Sequence, residues 1–561
     1  IPTIRRLSRK PQTVCFEPLN NFDPELYSPT TTQMLLTRYE KQIHCPNVFI
    51  QIDPTLPNVK QSLRDVGRDA RMTQRTIFHY FGQGSRHPDS SGKIYFFNTS
   101  RSQYQGLEVS AILDLFKYSL LLILDCNNAG VLYQHIIDYL KLSPSKDIIA
   151  FFACQEGETL PSATNMPLVI LSSSILDPLK SAIWFHSLNA LNDNPIYLAG
   201  DVIEESIEMD WNSEQNIDQA TKEMKELLFA ILNSIALSQF PENLYGQLYS
   251  HDESLKEIVN GFILATRILD YFNIHTVSHP KLPPTANAPQ WCLWDIYLDG
   301  INNKSEGSKK TKKNLFRELK TTFTNFPSHS LVPIILFFLN RSSFQEEASL
   351  FVLEYMDYFG PDITPYSVNS IASSIAALKE PKEIHYIILA KLYLLGYNAR
   401  LDMKRLFYAT DPVIFKAAML VIICSMEANP LVDKSKTLQL CANTASKCQP
   451  YAGILFALTA AEFSLLIPNP DKALHAFLPL LEDQRDDVRV SAIMAISYTR
   501  QTEAILPIAK FVYDKSFTVA AEALLCLSML IRSYSDNDII SEELKKVVHD
   551  AFYYAMTSTN E

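Results

Sequence analysis

Glycine is scarce, with 15 copies in 561 residues, where average usage of about 7% would give more than twice as many. Turn-dense all-β architectures consume glycine, so a helix-rich chain is expected. Long apolar runs are also missing. The longest, Leu331 to Leu339 and Ala417 to Cys424, stop at nine and eight residues, well short of the roughly 18 a transmembrane helix needs. Positive charge is in deficit, 50 Lys and Arg against 61 Asp and Glu for a net charge of −11. No global field draws a phosphate backbone, and nucleic acid is not an expected partner. The start, IPTIRRLSRKPQ, has basic residues but no apolar core behind them, unlike a secretory leader. With Ile1 in first position, a fragment of a longer protein is one expectation. Neither a Cys-x-x-Cys pair nor a His-Glu-x-x-His segment occurs, and the nine cysteines are scattered. No metal site, cofactor or disulfide framework is expected, and a reducing, cytoplasmic location fits.

Two kinds of patterning are present. Short apolar runs at 46–52, 76–81, 93–97, 120–124, 147–152 and 168–171 read as strands. Helical patterns at 59–71, 107–115 and 132–142 alternate with them, the mark of a mostly parallel sheet covered by helices. From about Thr221 the pattern becomes helical. Residues 300–314, GINNKSEGSKKTKKN, are polar and cationic, and read as a linker. Beyond it helical patterns follow at short intervals: 314–326, 331–340, 346–359, 366–379, 383–396, 401–408, 411–426, 434–446, 451–466, 470–482, 485–499, 502–514 and 516–533. Val488-Arg489-x-x-Ala492-x-x-Ala495 aligns with Val519-Ala520-x-x-Ala523-x-x-Cys526 at a period of 31, each after an acid, Asp483 or Asp514. Small residues at that spacing suit the second helix of a HEAT or armadillo repeat, whose usual period is about 40–47. The expectation is an α/β domain over 13–299 with a helical extension, a linker over 300–314, and an all-α solenoid over 315–561.

Chemistry in such a fold belongs at the carboxyl ends of parallel strands. Two runs end there in small-residue turns, Ile77 to Gly84 and Leu122 to Gly130. Their layout resembles the caspase and metacaspase fold, in which Gly-His-Gly carries the base and Asp-x-Cys-x-x-Gly the nucleophile. Matched to those patterns, Gln83 takes the base position and Asn127 the nucleophile position. A carboxamide neither accepts a proton near neutral pH nor attacks a carbonyl, so these two form no dyad. A displaced pair, His79 with Cys126, is the remaining route to a cysteine peptidase; the alternative is a core histidine and a buried thiol.

The motif series narrows the resemblance. His79-Tyr80-x-Gly82-x-Gly84, Gly92 to Asn98, Ser102-Gln-Tyr104, Asp125-Cys126-x-Asn128-Ala129-Gly130, and Ala153-Cys154-x-x-x-Glu158-x-Leu160-Pro161 occur in order. They are followed by Ile175 to Phe185, Pro241-x-x-Leu244-Tyr245, Phe262-x-x-Ala265-x-Arg267-Ile268, Val277 to Thr285, and Trp291-x-x-Trp294-Asp295. Together they resemble the N-terminal region of the Raptor family, the regulatory-associated subunit of the TOR kinase complex. The resemblance implies a non-catalytic scaffold for nutrient and growth signalling, with a caspase-like domain and a solenoid. Its implied partners are a TOR-type kinase, substrates bearing a short aromatic-anchored docking motif, and Rag-type GTPases, with a cytoplasmic location and recruitment to an endomembrane surface through those partners. Gln83 departs from the family, which usually keeps the Gly-His-Gly histidine. The family's WD-repeat propeller has no counterpart after residue 533, so a truncated or reduced version is expected. A solenoid adaptor unrelated to TOR is the third reading.

Other features have plainer roles. Pro280-Lys-Leu-Pro-Pro284 forms a stiff extended crossing, with Trp291 and Trp294 expected beneath it. Lys309, Lys310, Lys312 and Lys313 read as solvated linker, or as a contact for an acidic membrane or kinase surface. Glu204, Glu205, Glu208 and Asp210 read as a surface insertion. Asp486 and Asp487 precede a repeat helix, where carboxylates favour the positive helix end.

Overall fold

The computed structural model describes residues 36, 39–40, 43, 45, 47–70, 75–82, 85–161, 169–190, 219–249, 252–302, 307–323, 326–397, 470–534 and 541–557, with a few positions between 414 and 425. The chain divides into two compact units, 1–337 and 338–561. The expected helices at 401–408, 434–446 and 451–466 and the acidic run at 204–210 lie outside the described residues; of the helix expected at 411–426 only a few positions are described, and these are helical.

The first unit is built on a four-stranded sheet. Its strands are β1 (Thr76–Phe81), β4 (Leu120–Asp125), β5 (Ile148–Phe152) and β6 (Val277–His279), in that spatial order. β1, β4 and β5 run parallel, and β6 closes the sheet antiparallel to β5. Every residue of β4 and β5 is buried, which is why both read as continuous apolar runs. A two-stranded antiparallel ribbon, β2 (Lys93–Phe97) and β3 (Tyr104–Glu108), lies apart from it. Helix α1 (Leu56–Asp69) precedes β1, and α2 (Val109–Leu115) and α3 (Val131–Leu142) fall between the strands. The helical extension comprises α4 (Ile170–Leu176), α5 (Pro178–Ala190), α6 (Gln219–Gln239), α7 (Glu242–Tyr249) and α8 (Glu253–Tyr271). After β6 come α9 (Trp291–Asn302), α10 (Gly307–Phe323) and α11 (Val332–Leu339).

Several expectations are corrected here. Residues 47–52 form no strand: Phe49 is 67% exposed, and an apolar run without a neighbouring edge cannot pair. The run expected as a strand at 168–171 is helical from Ile170. Its last two residues begin α4, in which Ser172 is bonded to Asp125, and Gly261 lets α8 approach so closely that a Cβ there would lie 2.5 Å from the Ile175 Cα. β3 lies in a stretch expected to be helical only from 107, and the three-residue β6 gave no periodicity. The linker expectation fails over 307–314, which is the start of α10. Lysine is a good helix former, and Leu315, Phe316 and Leu319 a turn later are buried and anchor the helix against α9.

The Pro-rich crossing leads to Trp291, whose indole N–H donates to the Thr285 carbonyl at 3.0 Å, and Trp294 is fully buried.

The second unit is helical throughout its described residues: α12 (Gln345–Phe359), α13 (Pro365–Ala376), α14 (Glu383–Leu394), α15 (Pro470–Phe477), α16 (Asp486–Tyr498), α17 (Ile505–Lys510), α18 (Phe517–Tyr534) and α19 (Glu542–Thr557). The repeat is visible in its packing. Val488, Ala492 and Ala495 of α16 and their counterparts Val519, Ala523 and Cys526 of α18 are all fully buried, and these two helices pack together. Arg489 ties one repeat to the next, donating to the Asp483 carbonyl at 2.9 Å and to Asp514 Oδ1 at 3.1 Å. At the equivalent place in α18 stands Ala520, so this link is not repeated there.

Candidate functional site

Pairing between β1 and β4 sets Phe81 opposite Asp125 and His79 opposite Ile123. Because side chains alternate across a strand, His79, Phe81, Ile123 and Asp125 share one face of the sheet, and Tyr80 and Leu124 the other. Cys126 follows Tyr80: a Cβ on Gly82 would lie 2.3 Å from the Tyr80 ring and 2.7 Å from the Cys126 Cβ. His79 and Cys126 therefore face opposite sides of the sheet and form no catalytic pair. Gln83 lies outside the described residues.

On the His79 face, four side chains form a chain of hydrogen bonds. The Tyr39 hydroxyl meets His79 Nδ1, and His79 Nε2 is 2.8 Å from Ser172 Oγ. The Ser172 hydroxyl and backbone N–H both donate to Asp125 Oδ2 at 2.7 Å. With the Ser172 proton committed to the carboxylate, His79 donates from Nε2 and accepts from Tyr39 at Nδ1. Burial holds the imidazole down at about 3, hence neutral, and pushes the Asp125 carboxyl up to about 6, although the Ser172 bonds pull the other way. Asp125 Oδ1 is buried without a hydrogen-bond partner. The order Asp–Ser–His is not that of a nucleophilic triad, because the serine proton points at the acid and not at the imidazole.

The turn after β4 is a knot of structural bonds. Cys126 is fully buried, and burial, reinforced by Cys154 and Asp125, raises its thiol well above the ordinary range. Such a thiol stays protonated and inert at neutral pH. The Asn127 side-chain oxygen accepts from the Leu160 N–H at 2.8 Å. Asn128, at a φ of 57°, accepts from the Gly157 N–H and donates to the Pro88 carbonyl, both at 2.7 Å. Cys154 Sγ donates to the Cys126 carbonyl at 3.3 Å, and a Cβ on Gly130 would strike the Gln155 backbone at 2.7 Å. Glu158 extends the knot to the segment just before β6, accepting from the His275 N–H at 3.0 Å and meeting its Nδ1 at 2.7 Å. The segments 125–130 and 153–161, separate in sequence, are thus two halves of one loop structure.

Sequence reasoning placed Asn127, Cys126 and His79 at the strand ends, and missed Tyr39 and Ser172. A serine inside an apolar run and a tyrosine forty residues before its partner leave no local pattern. Among the described residues no group of three or more His, Cys, Asp or Glu is placed to hold a metal ion, and no helix is long and apolar enough to cross a membrane.

Fold and site together define a caspase-like α/β domain followed by a helical-repeat region, with a knot of structural bonds in the turn after β4. Residues 1–136 match the family described as Raptor N-terminal CASPase like domain. Regulatory-associated protein of TOR 2 from Oryza sativa subsp. japonica is 26% identical over 437 residues, covering 72% of this chain and 31% of that protein. Regulatory-associated protein of TOR 1 from Arabidopsis thaliana is 29% identical over 276 residues, covering 48% and 20%. Target of rapamycin complex 1 subunit mip1 from Schizosaccharomyces pombe is 25% identical over 319 residues, covering 50% and 23%. The crystal structure of Chaetomium thermophilum Raptor superposes with a TM-score of 0.54 at 17% identity, covering 96% of this chain and 52% of that one, a likeness of fold. The chain is related to the Raptor family. It spans less than a third of the length of these curated relatives.

Proposed function

We propose that this chain is a non-catalytic scaffold in a TOR kinase complex, binding the kinase and holding substrates for phosphorylation in growth signalling. The observation that carries the non-catalytic part is the bonding of the nucleophile region: Asn127 stands at the nucleophile position and holds Leu160, Cys126 is sealed beneath Gly82, and His79 faces the other way. Gln83 at the base position fits the same reading. Relatives named as subunits of target of rapamycin complex 1 support the kinase as partner. The helical repeats supply the extended surface such a role requires. Substrates with a short aromatic-anchored motif, Rag-type GTPases and a cytoplasmic location, with recruitment to an endomembrane surface, belong to the same proposal.

Affinity purification of the tagged chain from its native cells, with mass spectrometry of what survives washing at moderate salt, tests it. Near-stoichiometric TOR-type kinase is the expected result. Recovery of other proteins without a kinase would transfer the chain to the class of adaptors unrelated to TOR. Peptidase assays on the chain and on its Cys126→Ala variant should both give background rates, and activity lost with Cys126 would overturn the non-catalytic reading.

A further inference from the structure

Helix α10 carries the densest cationic run in a chain whose net charge is −11. Lys309, Lys310, Lys312, Lys313, Arg317 and Lys320 stand against one acid in the helix, Glu318. With 3.6 residues per turn, positions 309, 310, 313, 317 and 320 fall within an arc of about 100°, while Leu315, Phe316 and Leu319 fall outside it and Glu318 lies well away from its centre. The structure agrees where it describes these side chains: Lys313, Arg317 and Lys320 are exposed, and the three apolar residues are buried. The row from 309 to 320 is about 16 Å long at 1.5 Å per residue.

We infer that this face of α10 is a docking surface for an acidic, Asp- and Glu-rich polypeptide segment. Three observations select that partner. The apolar side of the helix is committed to the protein interior, so it has nothing to insert between lipids, and interfacial helices bind by that insertion. The row is one helix wide on a chain of net charge −11, so a narrow acidic segment matches it in sign and in shape, displacing the contact of Arg317 with Glu318 at 3.7 Å. Five of the six cations are lysines, compact point charges that attract carboxylates without the paired geometry that arginine forks impose on phosphate. A flexible acidic segment fits such a row in many registers.

The test uses the full chain, a fluorescein-labelled oligoglutamate peptide, and vesicles of phosphatidylserine with phosphatidylcholine. Anisotropy should show saturable peptide binding at low salt that weakens steeply toward about 0.3 M. Reversing Lys309, Lys313, Arg317 and Lys320 to Glu should weaken it about tenfold or more. The milder Lys313→Gln/Arg317→Gln/Lys320→Gln variant, checked for native helicity by circular dichroism, should fall between. Reversing the exposed Lys222 and Lys225 on α6 should leave binding unchanged. Equal binding by parent and α10 variants overturns the inference, as does binding to the vesicles in place of the peptide.

Discussion

Asp125 and His79 sit in one hydrogen-bonded chain and titrate in opposing senses. Burial lifts the Asp125 carboxyl to about 6, against about 3.9 when unfolded. The folded state binds that proton more tightly, so this stabilising contribution is full below pH about 4 and is lost as pH rises through about 6. His79 is held at about 3, against about 6.5 when unfolded. There the unfolded chain takes the proton first, and stability is lost as pH falls from about 6.5 toward 3. Between about pH 4 and 6 the two slopes oppose. Asp125→Asn should remove one alone, so its stability relative to the parent should rise by about 2–3 kcal/mol from pH 4 to pH 7 in chemical denaturation. Parallel curves would show that the carboxyl ionises normally. His79→Gln should flatten the acid side instead. On the opposite face, Asn127→Ala leaves the Leu160 N–H without its acceptor and should cost about 1–2 kcal/mol by the same measurement. The two faces differed in legibility. Asn127 and Cys126 follow a fully buried strand, apolar from Leu120 to Leu124, and the turn after such a strand is where an α/β sheet presents side chains. The partners of His79 are brought in by tertiary contact alone.

Among the elements, α4 is the one the sequence disguised most. Val169-Ile-Leu171 has the composition of a strand, and what makes it helical lies elsewhere: Asp125 holding Ser172, and α8 packing through Gly261. Gly261→Ala would place a methyl group within 2.8 Å of the Ser174 carbonyl oxygen as well as against Ile175. It should destabilise the first unit by about 2–3 kcal/mol, seen as a lowered thermal midpoint, since neither backbone can yield without separating the helices. Periodicity served the repeats better. The 31-residue register between Asp483 and Asp514 gave the interior face of α16 and α18 correctly, because small buried residues recur at helical spacing. The link through Arg489 was hidden, since an arginine on a helix reads as solvent-facing until its acceptors are in place. Arg489→Ala should cost about 2 kcal/mol and loosen α16 from the turn before α18, measurable as faster amide exchange in residues 511–516.

For the molecule as a whole, composition foretold the balance of helix over strand, and alternation foretold a mostly parallel sheet. Both are averages over many residues, which single substitutions or short elements barely disturb. β6 is the converse case: three residues carry no average, yet they complete the sheet. They also set the order in which the chain can mature. Between Phe152 of β5 and Val277 of β6 lie 124 residues, so during synthesis the β5 edge is made long before the strand that covers it. Until residue 279 has left the ribosome, a fully apolar strand keeps a row of unpaired backbone groups, the arrangement that invites pairing with another chain. Nascent chains halted before β6 should therefore aggregate or recruit chaperones, whereas chains halted after it should not.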